Sequence, residues 1–420
     1  MRYGPGCTTV EHWEGLTGPK RKDWALPKFA AMSSSHLNRR QLLTIAGTAA
    51  LVSVGSRSDA AVRPVLPVRP RPPKTKQANP YRPLSVSDPR ELPHFPTTAR
   101  PVRWRWARTS RTTLQDALST LDSNEVLVLP EDEKPYEIDT SRGFRVTRHN
   151  YHSMASPTRG IVGLGPNAVI QPSASAFRKG RQTYRNGLQE KMIESRQANA
   201  YFGNFTMHGR DFGGAAYNAI WASGAGTTWE RIHFRGAHRG WLAVPPGEAG
   251  AICGYKGSGM RVFNCEIDCR DSSGRSVGTS PVMWSAQRNV SLTDVYAHHT
   301  YTGMPTFWRV DNAIATNLIH TNLDQGKPKS PGVNVEDCTG TFQFNDCTFI
   351  VGYGPHNRGL HLNTGSQTSS VRFEIRNPTI DAGPWPGYFS IQQYNTRSQK
   401  RADYRITHAN GSSFPFRVAT

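Results

Sequence analysis

Glu266 and Asp268 stand two residues apart in the stretch Asn264-Cys265-Glu266-Ile267-Asp268. Alternate side chains of an extended strand share a face, which would put the two carboxyls about 5–7 Å apart. That range overlaps the spacing of acid–base and nucleophile pairs in glycoside cleavage. The same two-apart pattern recurs upstream as His233/Arg235 and downstream as Tyr296/His298. If winding brings these segments level, Arg235 holds one carboxylate charged while the like charge raises the pKa of the other. His298 and Tyr296 are then placed to give or take a proton. The candidate catalytic set is therefore Glu266, Asp268, His298, Tyr296 and Arg235. A solvated sheet face with mutually neutralising charges has the same composition, so the chemistry hangs on what stacks these segments.

The elements that could stack them repeat along the chain. Seven segments begin at Asn204, Arg231, Asn264, Asp294, Asn317, Asp346 and Asn377, at steps of 27, 33, 30, 23, 29 and 31 residues. Each reads polar, apolar, any residue, usually apolar, usually polar. The second and fourth places give the inward pairs Phe205/Met207, Ile232/Phe234, Cys265/Ile267, Val295/Ala297, Leu318/His320, Cys347/Phe349 and Pro378/Ile380. A common period with two-residue alternation inside each copy is what a solenoid of β coils requires. The Asn or Asp at the head suits a stacked turn, where a short polar side chain tolerates left-handed backbone and bonds its neighbour. A second register, Val333/Val335, Leu360/Leu362 and Phe389/Ile391, recurs at steps of 27 and 29 residues. A β-sandwich also has short alternating strands, but it predicts no common period in two registers. Ahead of the repeats, Leu114, Ala117, Leu118 and Leu121 fall at helical spacing behind the capping pair Thr112 and Gln115. The run Val126-Leu127-Val128-Leu129 then reads as a buried strand. The helix is expected to cap the open end of the sheet stack.

On this repeat texture and capping helix, residues 112–420 resemble the right-handed parallel β-helix family typified by pectate lyases. The resemblance implies an all-β solenoid and a polysaccharide or cell-envelope glycan as partner. It also implies calcium as the candidate cofactor, because lyases of that family use it to neutralise a uronate while an Arg or Lys takes the neighbouring proton. A second outward column, Arg309 and Asp311, Asn334 and Glu336, His361 and Asn363, is the candidate substrate-binding set. It holds an Arg and two carboxylates but lacks the clustered Asp residues of such calcium sites. No catalytic signature of the family is matched, and paired-aspartate polygalacturonase motifs are absent. Six tryptophans in the body (Trp221, Trp229, Trp241, Trp284, Trp308 and Trp385) include candidates for packing against sugar rings.

The front of the chain reads differently. Residues 1–111 hold 20 Lys+Arg against 6 Asp+Glu, and residues 112–420 hold 31 against 25. Arg39-Arg40 followed by Leu42-Leu43 and a mild apolar run resembles a twin-arginine export signal over residues 32–60, with Ser58-Asp59-Ala60 as cleavage site. Such signals normally begin a protein, so Met32 is the expected start and residues 1–31 an upstream extension. Residues 62–101 carry 11 prolines, and 61–111 are expected to form an extended, solvated linker. The basic excess thus falls outside the repeat body, which argues against nucleic acid as partner. No apolar run approaches the roughly 18 residues of a spanning helix.

Of the cysteines, Cys253, Cys265, Cys269, Cys338 and Cys347 lie in the body, and Cys338–Cys347 could bridge across a turn. Cys265 and Cys347 are expected to pack inward. No Cys/His constellation suggests zinc, and His298-His299 should face opposite ways as strand neighbours. His320 reads as a satisfied core histidine. Residues 172–200, with Arg178-Lys179-Gly180-Arg181, read as a loop inserted over one coil. There is no P-loop and no nucleophile elbow. Two functions remain: an exported enzyme that cleaves a polysaccharide, as a lyase or glycoside hydrolase, and a non-catalytic glycan-binding adhesin, envelope or phage-tail-like protein.

Overall fold

The residues that head the repeats adopt the backbone expected of them. Asn204, Arg231, Asn264, Asp294, Asn317, Asp346 and Asn377 all have positive φ, between 49° and 57°. Asn and Asp tolerate this left-handed conformation better than other side-chain-bearing residues. They also bond along the stack. Asn317 Nδ2 donates to Asp294 Oδ1 at 2.7 Å, and Asn377 Nδ2 to Asp346 Oδ1 at 2.9 Å. Arg231, the exception in type, donates from Nη1 to the Pro80 carbonyl at 3.1 Å.

The computed structural model describes residues 79–103, 114–119, 121–122, 124–138, 160–172, 190–195, 197–208, 217–235, 250–255, 257–270, 280–299, 305–321, 332–350, 360–364, 371–380, 388–395 and 402–419. All lie within Pro67–Thr420, the second of two units into which the chain divides. The signal segment 32–60, residues 1–31 and the capping Thr112 lie outside the described residues.

Every pairing between strands is parallel, and the strands fall into three faces. The first runs from Arg100–Arg103 through Glu125–Leu129, Gly160–Gly163, Tyr201–Gly203 and Thr228–Glu230, and ends at Val371–Arg376 and Asp403–Thr407. The second begins at Tyr136–Ile138 and passes through Val169–Pro172, Thr206–His208 and His233–Arg235 to Thr348–Ile350 and Thr379–Ile380. The third is a 9-stranded sheet from Glu190–Ser195 to Phe416–Ala419. Between the first two faces, Arg261–Asp268, Arg288–His298 and Asp311–Thr321 each serve both, turning the corner at Asn264, Asp294 and Asn317. This is a parallel β-helix, and residues far apart in sequence are neighbours on adjacent coils.

The core follows the alternation. Met207, Phe234, Ile267, Ala297, His320, Phe349 and Ile380 pair in one inward column, and the first six are buried. Aromatics stack along the interior: Trp229 meets Trp284 edge-on at 5.6 Å, and Phe307 meets Phe342 at 5.5 Å. Each large side chain so buried stabilises the fold by about 1.5–3 kcal/mol. No coil holds many of them, so stability accumulates by repetition.

Five expectations need correction. The segment expected to be solvated linker contributes residues 79–103 to the fold. It runs over the outer surface, and its Arg100–Arg103 stretch pairs with Glu125–Leu129. Its basic groups find buried carboxylates: Arg82 takes Glu266, His94 takes Glu230, and Arg100 takes Glu125. Asn204 clamps Leu84 through both its amide groups, and Phe95 packs edge-on against Tyr201. Proline-rich composition predicts the lack of periodic pattern correctly, but docking needs only complementary partners. Second, the helix Leu114–Ser119 buries Leu114, Ala117 and Leu118 in the core, yet the free edge of Glu125–Leu129 is taken by a strand rather than blocked by the helix.

Third, within 172–200 the residues Glu190–Ser195 are a strand that pairs with Tyr217–Ala222 in the third face. Fourth, the second register slips: Leu360 pairs with Ile391 and Leu362 with Gln393, two residues from the expected match. A two-residue slip preserves inward–outward parity, so alternation alone does not detect it. Cys338 and Cys347 are not bridged. Both are buried free thiols, bonded instead to the carbonyls of Phe307 and Ala315. Burial pushes both thiols up to about 12, which leaves them inert packing groups.

Candidate functional site on the second face

On the second face the outward places of neighbouring coils align as the repeat requires. His233 pairs with Glu266, and Glu266 with Tyr296; Arg235 pairs with Asp268, and Asp268 with His298. The candidate catalytic residues are thus brought onto three adjacent strands. Outward residues of a solenoid normally meet water. Here Glu266 is only 2% exposed, Asp268 4% and His298 5%.

Residues 79–82 supply the cover over Glu266. Arg82 grips it with two bonds, Nε to Oε2 at 2.5 Å and Nη2 to Oε1 at 2.9 Å, and Asn79 Nδ2 reaches Oε2 at 3.4 Å. His298 Nε2 approaches Oε1 at 3.1 Å from the next coil. Tyr81 lies beside Tyr296, ring centroids 5.8 Å apart, and Tyr296 stacks on His298 at 4.3 Å. Asp268 is held by Arg270, two residues on, whose Nε reaches both carboxylate oxygens at 2.9 and 3.1 Å while Nη2 reaches Oδ2 at 2.5 Å.

These contacts overturn the expected electrostatics. Arg235 is exposed; the arginines on the carboxylates are Arg82 and Arg270. Nor is one carboxyl raised. For Glu266, burial would raise the pKa, but the hydrogen bonds from His298 and Arg82 outweigh it and hold the group down at about 2. Asp268 follows the same balance, burial opposed and overcome by His299 and Arg270, and sits well below the usual carboxylate range. Both carboxylates are acceptors only. His233, by contrast, is driven down to about 4, chiefly by burial, and is neutral beside Glu266 at 3.8 Å.

His299 corrects a further expectation. Strict alternation would send its ring inward, away from His298. Its φ of 56° breaks the alternation and turns the ring back to the outer side. There its Nδ1 meets His298 Nδ1 and lies 3.4 Å from Asp268 Oδ1. Asp268, His298 and His299 are the one group of His, Cys, Asp or Glu side chains among the described residues whose ligand atoms converge, all within 4.8 Å of one another. Two imidazole nitrogens and a carboxylate oxygen could hold a metal ion.

The second proposed column is only partly assembled. Asn334 and Glu336 pair with His361 and Asn363, whose side chains lie outside those described. On the other side their partners are Thr306 and Trp308, not Arg309 and Asp311. Arg309 sits at a left-handed corner with its guanidinium 4.7 Å above the Trp308 ring. Asp311 begins the next strand on the first face and accepts from Thr339 Oγ1 at 3.0 Å. The corner interrupts the count that placed them outward. The column's two carboxylates, Asp311 and Glu336, therefore stand in different sheets, and the donor set fits calcium poorly. Of the tryptophans, Trp229 and Trp284 are fully buried and Trp308 is half-buried; the side chains of Trp221, Trp241 and Trp385 lie outside those described. His320 is a core histidine, its Nδ1 2.9 Å from the Gly332 carbonyl.

Sequence reasoning missed Arg82, Asn79, Arg270 and His299, and it aligned His233 with Glu266 without giving it a role. Arg270 and His299 had a signal in their adjacency to Asp268 and His298. For Asn79 and Arg82 the repeat carries none, because they lie outside it.

No family model matches the sequence, and no curated protein matches it. Among solved structures, several alignments cover 80% of this chain and 69% of the other. Two are the catalytic domain of a GH87 alpha-1,3-glucanase in complex with nigerose. One of these is an aspartate-to-alanine variant, with TM-score 0.36 and 12% identity; the other has TM-score 0.35 and 11% identity. A third, another aspartate-to-alanine variant in complex with tetrasaccharides, has TM-score 0.27 and 11% identity. The parallel β-helix itself is established by the strand pairings rather than by this likeness.

Proposed function

We propose that the chain is an exported enzyme that cleaves a polysaccharide on the second face, by elimination next to a uronate. The observation that carries this reading is the outward-pointing cluster of buried Glu266, Asp268 and His298 with half-buried Tyr296 against it. Ionisable groups kept from water on the outside of a scaffold are costly to hold and gather where chemistry is done. Hydrolysis by paired carboxyls requires one of them to donate a proton, whereas every oxygen of Glu266 and Asp268 accepts from an N–H. Elimination requires instead a base and a cation beside the uronate carboxylate. His298 is held at both ring nitrogens, by Glu266 and by His299, which makes it a fixed platform. Tyr296, stacked on it and half-buried, is the group we assign to move the proton. Export is supported by Arg39-Arg40 and the apolar run behind it.

Residues 79–82 must leave Glu266 for a chain of sugars to enter. The same cover favours a second reading, in which the face binds glycan or peptide without turnover. One assay separates them: the purified protein is incubated with uronic-acid and neutral polysaccharides. Ultraviolet absorbance appearing together with reducing ends indicates elimination. Reducing ends alone indicate hydrolysis, and binding with neither indicates the non-catalytic reading.

A further inference from the structure

We propose that Asp268, His298 and His299 bind one divalent transition-metal ion of the zinc class. The site supplies the cation the elimination needs, but its existence does not rest on that reading. Oδ1 of Asp268 lies 3.4 Å from His299 Nδ1 and 3.9 Å from His298 Nδ1. Ligands about 2.0–2.2 Å from a zinc-class ion stand a little over 3 Å apart in tetrahedral geometry. The carboxylate is therefore already placed, and the two rings need only part slightly to admit the ion between them.

The donor chemistry selects the metal. Two imidazole nitrogens with one carboxylate oxygen suit zinc, cobalt or iron(II), whereas calcium and magnesium take oxygen. No sulfur joins in, since the neighbouring Cys269 is buried in the core. The outer shell is also of the expected form. His298 Nε2 faces Glu266 Oε1 at 3.1 Å, an arrangement that places the ring proton on Nε2 and leaves the Nδ1 lone pair for a metal. Arg270 holds Asp268, but its own side chain is 42% exposed, so the guanidinium can turn to water when a metal takes the carboxylate. The His299 side chain is 20% exposed against 6% for His298, so the site opens to solvent on that side and leaves room for water or substrate as further ligands.

The test uses the full chain without a histidine tag, stripped with chelator and titrated with cobalt(II). The expected result is one equivalent bound, with visible absorption bands of four- or five-coordinate cobalt that zinc abolishes by competition. Asp268→Asn and His299→Asn should each weaken binding at least tenfold. Asn keeps the planar shape of the carboxylate at the first position and tolerates left-handed backbone at the second, so both variants should fold, and His299→Asn should melt with the metal-free parent. His408→Gln, at the far end of the solenoid, should bind as the parent does. Failure to bind cobalt at one equivalent, or equal binding by all three variants, overturns the site. Either result leaves the glycan assay to decide the cleavage reading separately.

Discussion

Two stretches of the second face share register, corner residues and inward core, yet differ outside. One carries Glu266, Asp268, Tyr296 and His298 on neighbouring coils; the next carries Ile319, Thr321, Thr348 and Thr379 at the equivalent places. The inward column runs through both without a break. Outward positions are therefore free of the fold's demands, and what stands there reports on something else. Residues 79–82 lie over the first stretch, where Asn79 and Arg82 reach Glu266 and Tyr81 lies beside Tyr296, and this covering segment keeps water from the charges beneath it. A solvated charge ladder would have no use for that cover.

The largest effect should be on turnover. Tyr296→Phe is expected to lower polysaccharide cleavage by about 10²–10⁴-fold, the usual range for a proton-moving group, and Glu266→Gln and Asp268→Asn should lower it too, by releasing the His298 platform each carboxylate holds. Melting temperature should barely change for Tyr296→Phe, whereas the two carboxylate variants should also melt earlier because each loses an ion pair made by a buried carboxylate. Thr348→Ala and Thr379→Ala should leave cleavage rates as they are. Equal rates in both sets would remove the first stretch from the chemistry.

Two histidines on adjacent coils give the next effect. His298 points outward to a carboxylate, while His320 points inward and is completely buried. Burial, ahead of the opposing bond to Gly332, drives the His320 pKa from 6.5 down to about 4. At pH above 6.5 the residue is neutral folded or unfolded and contributes no pH dependence. As pH falls from 6.5 to about 4, the unfolded chain takes up a proton that the folded chain refuses, and stability drops. The loss should reach about 3 kcal/mol. Denaturant melts at pH 7 and pH 4 should show a smaller difference for His320→Gln than for the parent.

A third effect concerns the corner common to both stretches. Asn317→Ala places alanine in left-handed backbone and removes the bond to Asp294, for an expected loss of about 1–2 kcal/mol. Asn317→Gly, which removes only the bond, should lose less in the same melts. The smallest stability effect should come from Arg82→Ala. The Arg82 side chain is 48% exposed, so the pair is worth under about 1 kcal/mol. Uncovering Glu266 should nevertheless raise cleavage of long polymers; unchanged or lower rates would mean the segment does not gate the site.

Much of this arrangement was legible in the chain itself. The Asn and Asp corner residues, the inward column from Met207 to Phe349 and the alignment of Glu266 with Tyr296 follow from period and alternation. The reading failed where backbone departs from alternation. His299 turned outward through a positive φ, and Arg309 and Asp311 fell on opposite sides of a corner. It failed again at Asn79, Arg82 and His94, whose partners lie 187, 184 and 136 positions away.

The parallel β-helix and most of its outward positions follow from the chain alone, because local periodicity imposes both and each coil repeats it. Only the tertiary structure decided which outward groups lose their water and how Glu266, Asp268, His298 and His299 pair. Those outcomes depend on single contacts between distant segments, and a salt bridge formed once leaves no period in the chain to be read.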